Sequence, residues 1–477
     1  MEAKKENRGK KFIKDFGIYS IGILGTRIIT FLMIPLYTYC LDNTADYGIY
    51  DMCLQICMFL LPVSTLQMRD ASFRFLIETD SEERRKTVVT IVYKILFSNL
   101  LFIVSLGITL SLFFHIHYFY YSVALLVSIT LHEVIGQIIR GLKRNKVYVA
   151  CNLLNALLIG SLSCLFVAVL QMGVKGVFLA NIISRFVAVF VMELKVGVFC
   201  HYFHFNVRFG EISKTIFKYA LPLIPTSMCW LLTTISDRFF ISYFVSYEAN
   251  GIYAVIIRFA MILQTLALIF YQAWQETAIT QYKTSDKNSF FSKVFNYYFF
   301  ALSILMVSFT FLVKMNYTWL VAPNYYSGIK YLYCLGAISI LMSLSSSFFE
   351  LGYQCGKDTK RAIPALFFAA VINVSLNFLI TPHFGVKGVI ISNFFTFLFL
   401  CIYRYFDTKR YFRISIYKST LLLPFLLIAG AFMFTFSSSV VYDLLCLLTL
   451  FVAFLLFAPK ELELYAINFI KLKLKKE

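Results

Sequence analysis

Three arginines lie inside apolar segments that are long enough to cross a membrane: Arg27, Arg185 and Arg258. Charges in the hydrocarbon core are costly, so such side chains usually face a cavity and serve a function. A planar guanidinium group bonds two oxygens of one phosphate at once, which suits it to a phosphate or pyrophosphate ligand. The pattern therefore predicts an anion-binding site formed by these arginines, with Asn181 one helical turn from Arg185. The alternative for Arg27 is an arginine that packs between helices and bonds backbone carbonyls, and the alternative for Arg185 and Arg258 is a side chain that snorkels to the outer interface.

Carboxylates are fewer within the apolar segments. Glu133 lies in the fourth segment, and Glu350 lies near the inner end of the tenth. A membrane carboxylate can bind Na⁺ or exchange a proton. Glu133 is therefore the candidate for ion coupling, and the alternatives are a partner of Arg140 or a group in a cytoplasmic vestibule. Asp237 and Arg238, which end the seventh segment, are interpreted as a structural pair near the outer surface.

Metal, cofactor and catalytic sites are not predicted. The 11 cysteines and 6 histidines show no metal-ligand spacing, and no Walker A loop is present. The longest polar breaks, near 69–87 and 274–293, hold about 20 residues. That length is too short for the outer loop or cytoplasmic domain on which a glycan polymerase or glycosyltransferase would carry its catalytic groups. The chain is therefore expected not to be an enzyme.

The elements that must position these side chains are membrane-spanning helices. The sequence is 60% hydrophobic and 14% charged, whereas soluble domains have about 25% charged residues. A helix needs about 20 mostly apolar residues to span a bilayer, and about fourteen such runs predict an all-α integral membrane protein. The runs lie at roughly 16–40, 48–68, 88–114, 118–139, 147–171, 174–203, 216–236, 251–273, 295–313, 331–352, 362–381, 386–405, 419–437 and 440–458.

Basic residues are concentrated in alternate breaks between these runs. The basic breaks include Arg84–Lys86, Arg140–Lys146, Lys357–Arg361 and Lys409–Arg413, whereas those at 41–47, 115–121, 243–250 and 437–442 contain no lysine or arginine. This alternation is the positive-inside pattern, so we expect a multi-pass protein of the cytoplasmic membrane with both termini in the cytoplasm. The net charge of +19 is therefore explained by the basic residues of the cytoplasmic breaks. A nucleic-acid partner is not predicted.

An internal repeat relates two groups of six spans. The segment Gly-Val-Lys-Gly-Val occurs at 173–177 and again at 385–389, and in both copies an asparagine follows eight positions after the first glycine. A second pair, Asp46–Tyr50 and Asn250–Tyr253, shares the sequence Gly-Ile-Tyr. The offset of about 203–212 residues covers an even number of spans, so both copies have the same orientation. We therefore predict two parallel bundles related by a pseudo-twofold axis along the membrane normal.

The glycines of the repeated segment are interpreted as structural. Gly173, Gly176, Gly385 and Gly388 are expected to form tight turns and close helix contacts at the outer surface. The topology places these turns between spans 5 and 6 and between spans 11 and 12, so they are not expected to bind substrate.

The predicted organisation has five parts. A basic cytoplasmic leader occupies residues 1–15, and an N-terminal six-helix bundle occupies residues 16–205. A C-terminal six-helix bundle follows at 214–408. Two additional transmembrane helices occupy 409–458. Residues 459–477 are expected to form an amphipathic cytoplasmic tail on the membrane surface, and the alternative is a frayed basic tail.

Short motifs along the chain carry a resemblance to a known family. They are Ile34-Pro35-Leu36-Tyr37-Thr38, Asp46-Tyr47-Gly48, Leu221-Pro222-Leu223-Ile224-Pro225, Asp237-Arg238, Gly251-Ile252-Tyr253, Phe270-Tyr271-Gln272-Ala273-Trp274 and both Gly-Val-Lys-Gly-Val segments. With these motifs the chain resembles polysaccharide-transporter flippases of the Wzx type, which belong to the MATE/oligosaccharidyl-lipid/polysaccharide (MOP) exporter superfamily. The resemblance covers nearly the whole chain, to about residue 405.

The resemblance implies two six-helix bundles around a central cavity, two additional C-terminal helices, and alternating access. The implied substrate is a polyprenyl pyrophosphate-linked oligosaccharide repeat unit, moved across the cytoplasmic membrane for O-antigen, capsule or exopolysaccharide synthesis. Cavity arginines bind pyrophosphate in such proteins, which fits Arg27 and Arg258 by type and depth. The expected partners are this lipid-linked substrate, membrane lipids, the polysaccharide polymerase machinery, and H⁺ or Na⁺ if transport is ion-coupled.

Two alternatives remain open. A MATE-type ion-coupled exporter of small cationic molecules would need membrane acids more than membrane arginines, and this chain has more deep arginines than deep acids. A membrane glycan polymerase or glycosyltransferase belongs to a different functional class, and the short polar breaks argue against it.

Overall fold

The computed structural model describes residues 25–417 except 80, 114–116, 208, 283 and 357, together with scattered positions between 420 and 452. Within these ranges every regular element is a helix. Eleven helical stretches there are long and apolar enough to cross a membrane, and they match the second to twelfth predicted spans. The prediction of an all-α membrane protein is therefore confirmed.

The helices are numbered in chain order, beginning with α1, which is described over residues 25–40. The next helices are α2 (Thr44–Ser64), α3 (Met68–Ile77), α4 (Glu82–Phe113), α5 (Phe119–Gly141), α6 (Asn145–Ser163), α7 (Gly173–Val196), α8 (Val198–Tyr202), α9 (Glu211–Ala220) and α10 (Leu223–Phe244). The remaining helices are α11 (Tyr247–Gln281), α12 (Lys287–Leu320), α13 (Leu332–Ser343), α14 (Glu350–Cys355), α15 (Ala362–Phe384) and α16 (Val386–Thr408). Turns of π-helix extend α6 at Cys164–Val169 and join α13 to α14 at Leu344–Phe349.

Several predicted segments lie outside the described residues. They are the basic leader at 1–15, the first residues of span 1, most of the two additional helices within 409–458, and the tail at 459–477. The total of fourteen spans therefore stays a prediction.

The described chain forms two compact units. The first comprises residues up to Ser242 together with Ser246–Gly251, and the second comprises Tyr243–Val245 and the residues from Ile252 onward. This boundary lies one span later than the predicted boundary of the two bundles. The predicted division rests on the internal repeat and stays a prediction.

Each unit has its own apolar core. In the first unit, buried side chains come from α3, α4, α5, α7 and α9, and they include Met68, Leu96, Ile135, Met192 and Ile216. The core of the second unit is largely aromatic: Trp274 stacks on Phe348 with ring centroids 5.9 Å apart, and Phe291 stacks on Phe412 at 4.4 Å. Aromatic pairs at such distances add to the free energy gained by burial.

The two Gly-Val-Lys-Gly-Val segments adopt closely similar turns. Gly173 and Gly385 have φ angles of +55° and +56°, in the region that favours glycine. A Cβ atom on Gly176 would lie 3.0 Å from the Phe166 carbonyl oxygen, and one on Gly388 would lie 2.8 Å from a backbone carbonyl oxygen of α15. In both copies the first glycine has the φ of a turn residue and the second lies against the preceding helical segment, which is the geometry of a structural turn.

The second repeated motif brings two helix starts into backbone contact within the first unit. A Cβ atom on Gly48 would collide with the carbonyl oxygen of Tyr247, and a Cβ atom on Gly251 would collide with that of Thr44. Asn250 Nδ2 also donates to the Gly48 carbonyl oxygen at 2.9 Å. Gly48 and Gly251 occupy equivalent positions in the repeat, so this contact is reciprocal, as a twofold relation between the starts of α2 and α11 requires.

Replacement of Gly48 or Gly251 by alanine is expected to destabilise the protein. Alanine gains about 1 kcal/mol of helix propensity over glycine, but its methyl group would have to separate two packed backbones, and such overpacking costs about 1–3 kcal/mol or more. The apparent melting temperature in detergent measures the effect. Gly210→Ala is the matched control, because a Cβ atom there meets nothing within 4 Å. Melting temperatures of Gly48→Ala and Gly251→Ala equal to that of the control would contradict the assigned contact.

Candidate functional site

Arg27 lies on the inner face of α1. Successive helical residues turn by about 100°, which places Arg27 on the same side as the buried residues Ile34 and Thr38. The opposite side is apolar and exposed, as expected of a face toward lipid: Ile28, Leu32 and Tyr39. The Arg27 side chain is nevertheless exposed. An exposed charge on this face is the arrangement expected of a residue that lines a cavity.

Arg185 lies inside the first unit. Its Nη1 donates to the carbonyl oxygen of Asn181 at 2.7 Å and to Asn181 Oδ1 at 3.2 Å. Tyr37 of α1, Tyr50 of α2 and Glu133 of α5 lie within electrostatic range of its charge. The structure therefore brings together Arg185, Asn181 and Glu133, three of the residues singled out from the sequence. Both bonds to Asn181 lie within α7, one helical turn along it.

Glu133 forms an ion pair with Arg69. Arg69 Nη1 lies 3.4 Å from Glu133 Oε2, and Arg69 Nε lies 3.3 Å from Asp70 Oδ1. The three side chains are each about one third exposed. Arg140, considered as a partner of Glu133 from the sequence, places its guanidinium 4.5 Å from the centre of the Phe73 ring. Glu133 is thus a half-buried, paired carboxylate near Arg185.

The second span is interrupted one turn from Arg69. α2 ends at Ser64 and α3 begins at Met68, and between them Leu66 and Gln67 have φ angles of +45° and +55°. Two successive non-glycine residues in this left-handed region are strained, and such strain concentrates at functional sites. The side chain of Asn99 on α4 donates to the carbonyl oxygens of Val63 and Ser64 at the end of α2, and the Val63 carbonyl oxygen also accepts from the Leu66 backbone N–H.

A second interrupted span meets the first. α9 ends at Ala220, and α10 begins at Leu223 after a turn that contains Pro222. Gln67 Nε2 donates to Ser227 Oγ at 2.6 Å and lies 3.5 Å from the Leu223 carbonyl oxygen. Interrupted helices are tolerated in membranes where they are buried in protein or line a cavity, and transporters commonly bind their substrates there.

Three buried charges form an ionic cluster between α2 and α10. Arg238 Nε lies 3.4 Å from Asp51 Oδ2, and Arg238 Nη1 lies 3.9 Å from Asp237 Oδ2. None of the three side chains is more than 6% exposed. The predicted pairing of Asp237 with Arg238 is present, but the shorter contact is to Asp51, which the sequence did not single out.

The second unit contains Arg258 and two further polar clusters. Arg258 is half-buried on α11. On α15 and α16, Asn373 Nδ2 donates to Asn393 Oδ1 at 2.9 Å, and Asn377 Nδ2 donates to Asn373 Oδ1 at 3.1 Å. These buried amides join the two helices that the second Gly-Val-Lys-Gly-Val turn connects, as is common for polar groups between membrane helices.

Glu350 also faces an arginine. Arg404 on α16 is fully buried, and its Nη1 lies 2.9 Å from Glu350 Oε2. The same nitrogen donates to the carbonyl oxygen of Ser345 at 2.7 Å, within the π-helical turn between α13 and α14. Across the described ranges, no group of three or more histidine, cysteine or acidic side chains is arranged to hold a metal ion.

The three predicted arginines lie at similar depths along their own helices. Arg27 is 13 residues from the end of α1 at residue 40, Arg185 is 12 residues from the start of α7, and Arg258 is 11 residues from the start of α11. At 1.5 Å per residue they lie about 20, 18 and 17 Å from the predicted outer ends of these helices. That depth is near the middle of a hydrocarbon core about 30 Å thick.

Removal of the central arginine of the ionic cluster is expected to be strongly destabilising. Arg238→Leu would leave Asp51 and Asp237 buried beside each other, and breaking a buried pair costs about 3–5 kcal/mol. Asp51→Asn is expected to cost less, because Arg238 keeps Asp237. Thermal unfolding in detergent gives both values.

The control for this cluster is an exposed ion pair. Lys214→Gln removes the partner of Glu211 where the two side chains are 77% and 88% exposed, so its effect is expected within about 1 kcal/mol. An Arg238→Leu variant as stable as Lys214→Gln would show that the cluster does not hold α2 and α10 together.

Comparison with protein families gives a match to more than half of the chain. Residues 12–275 match a family described as polysaccharide biosynthesis protein. No curated protein gives a significant sequence match.

Solved structures with a similar fold are transporters of the MOP superfamily. An inward-facing multidrug resistance MATE family transporter aligns with a TM-score of 0.61 at 14% identity, over 82% of this chain and 95% of that one. Its outward-facing counterpart aligns with a TM-score of 0.55 at 14% identity, over 83% and 96%. A MOP superfamily transporter from Pyrococcus furiosus, whose binding pocket of reverse polarity is said to suggest a different function, aligns with a TM-score of 0.57 at 16% identity, over 83% and 96%. At these identities the similarity establishes the fold.

Proposed function

Because the chain belongs to the family of polysaccharide biosynthesis proteins, we propose that it is a flippase for polyprenyl pyrophosphate-linked oligosaccharide repeat units. It takes the repeat unit from the cytoplasmic leaflet and delivers it to the outer leaflet by alternating access. The product serves the assembly of a cell-surface polysaccharide such as O-antigen, capsule or exopolysaccharide. The lipid tail stays in the bilayer while the glycan passes through the protein.

The observation that carries this proposal is the set of mid-membrane arginines in a transporter fold. Arg27, Arg185 and Arg258 each lie 11 to 13 residues from the predicted outer end of their own helix, and Arg27 is exposed on the inner face of its helix. A pyrophosphate group has several negatively charged oxygens in fixed geometry, which guanidinium groups bind through paired hydrogen bonds. We assign the pyrophosphate to these arginines and assign Asn181 to the orientation of Arg185.

The arrangement of acids favours this anionic substrate over a cationic one. Asp51 and Asp237 lie beside Arg238, Glu133 lies beside Arg69, and Glu350 lies beside Arg404. An acid beside an arginine is a weaker site for a cationic substrate than an acid alone. The Pyrococcus furiosus relative shows that pocket polarity differs within the superfamily, which supports a function other than multidrug export for this chain.

The membrane potential helps the proposed direction of transport. The pyrophosphate carries negative charge from a negative interior to the outside, which contributes about 2.3 kcal/mol per charge at 100 mV. Coupling to H⁺ or Na⁺ would add to this driving force, and Glu133 is the proposed coupling group. Its pairing with Arg69 would be exchanged for a proton or a sodium ion during the cycle.

Replacement of the proposed binding arginines is expected to slow translocation of lipid-linked oligosaccharide in proteoliposomes. Charge-assisted hydrogen bonds contribute about 1.5–3 kcal/mol, so Arg27→Ala and Arg258→Ala should each lower the rate roughly tenfold or more. Arg27→Lys keeps the charge but loses the paired geometry, so an intermediate rate is expected. Accessibility of the glycan to an added glycosidase measures transport.

Arg74→Ala is the matched control, because Arg74 is an exposed arginine paired with Glu78 on the same helix. Wild-type rates in both Arg27→Ala and Arg258→Ala would refute the pyrophosphate assignment. If the wild-type protein moves no lipid-linked glycan but exports a cationic dye along an ion gradient, the exporter alternative replaces the flippase.

A further inference from the structure

A groove opens beside the interruption of the second span, within the first unit. It has a volume of about 490 Å³, and its lining includes Leu66, Lys94, Ser98, Asn99, Phe102 and Phe217. This volume lies within the usual range of small-molecule pockets. The residues come from the break between α2 and α3, from α4 and from α9. The groove is therefore separate from Arg185, Arg258 and the other residues assigned to transport.

One wall of the groove is the strained segment itself. Leu66 lines it with a φ angle of +45°. Asn99 holds the segment by donating to the carbonyl oxygens of Val63 and Ser64 at 3.0 and 2.6 Å. Strained backbone that is fixed by specific polar contacts is typical of binding sites.

Lys94 gives the groove a positive charge. Its Nζ donates to the carbonyl oxygens of Phe205 and Val207 at 2.9 and 2.7 Å. An ammonium group has three N–H donors, so one donor and the whole charge remain for a ligand. Among the described residues that line the groove, none is acidic. Ser98 is exposed one turn further along α4 and offers a hydroxyl group.

The groove opens on a face of the protein that is suited to lipid. Phe102 and Phe209, both in its lining, are 62% and 58% exposed, and Leu101 beside them is 73% exposed. α4 is one of the candidate membrane spans, and only 22% of its most apolar window is buried. A largely apolar groove with one lysine on such a face would be open to lipid in a bilayer.

Lys94 lies near the predicted cytoplasmic end of the third span, six residues after its predicted start at 88. α4 has 32 residues, or about 48 Å, and therefore exceeds the hydrocarbon core of about 30 Å. If Phe113 lies at the outer boundary of the hydrocarbon core, the inner boundary of the core falls about 20 residues earlier along α4, beside Lys94. The apolar lining then extends from this boundary into the core.

We propose that the groove binds an anionic phospholipid of the cytoplasmic leaflet. The phosphate lies at Lys94 and Ser98, and an acyl chain lies against Phe102 and Phe217. Because Lys94 also binds the Phe205 and Val207 carbonyls, the bound lipid stabilises the connector between the sixth and seventh spans. This site does not depend on the transported substrate.

Photocrosslinking of the full-length protein in nanodiscs tests the site. The probes are phosphatidylglycerol and phosphatidylcholine with the same photoreactive acyl chain, and mass spectrometry locates the labelled peptides. Phosphatidylglycerol is expected to label α4 near Phe102 and α9 near Phe217 more strongly than phosphatidylcholine does. Lys94→Gln should lower this labelling about fivefold, because one lysine near the surface contributes about 1 kcal/mol of attraction to anionic lipid.

Two further variants keep the result interpretable. Ser98→Phe fills the groove and leaves both carbonyl bonds of Lys94 in place, so it should remove the labelling without lowering the melting temperature. Lys86→Gln changes a lysine of the same helix that pairs with Glu82 and does not line the groove, so labelling should stay at the wild-type level.

Three outcomes would overturn the proposal. Equal labelling by the two lipids would remove the requirement for negative charge. Unchanged labelling in both Lys94→Gln and Ser98→Phe would place the lipid elsewhere. Loss of the labelling on addition of excess inorganic phosphate would assign the groove to free phosphate instead of lipid.

Discussion

Hydrocarbon offers no hydrogen bonds to a backbone or a charged group, so each polar group at membrane depth needs a partner within the protein. The helices satisfy most of the backbone by themselves. Where the second span stops being helical, Asn99 binds the carbonyl oxygens of Val63 and Ser64, and Gln67 binds Ser227. The interruption is therefore stabilised by two other spans, because Asn99 of α4 and Ser227 of α10 supply its hydrogen-bond partners. These bonds hold α4 and α10 against the break.

The same constraint explains how the charges are distributed. Arg238 lies between Asp51 and Asp237, and Arg404 lies between Glu350 and the Ser345 carbonyl. The Arg238 cluster is buried, and Arg404 is buried beside the partly exposed Glu350. Arg27 differs, because it is exposed on the inner face of its helix. An exposed charge at this predicted depth is better suited to binding an incoming anion than to joining helices, and this contrast distinguishes Arg27 from Arg238 and Arg404.

The sequence predicted the features that depend on long patterns. Apolar length identified the spans from α2 to α16. The first glycines of the two repeated segments have φ angles of +55° and +56°, and their structural role stays a prediction. It did not predict Asp51, Arg69 or Arg404 as ion-pair partners. Each stands near a break in the apolar pattern, where a charge is ordinarily solvated, and only the packing of a distant helix shows that it is paired. The break at Leu66 and Gln67 was also missed, because neither residue is a type that favours a positive φ.

The two copies of the repeat are more alike in backbone geometry than in the side chains at equivalent positions. Twelve residues after the first glycine of each repeated segment, the first copy has Arg185 and the second has the buried Phe397. The equivalent asparagines also differ in role: Asn181 binds Arg185, whereas Asn393 accepts a hydrogen bond from Asn373. Turns that fix helix spacing must stay alike, and no such requirement applies to the side chains outside them. The lipid-linked glycan proposed as substrate has a charged end, a polar end and an apolar tail, so two identical halves would give no advantage in binding it. The divergence between Arg185 and Phe397 agrees with that proposal.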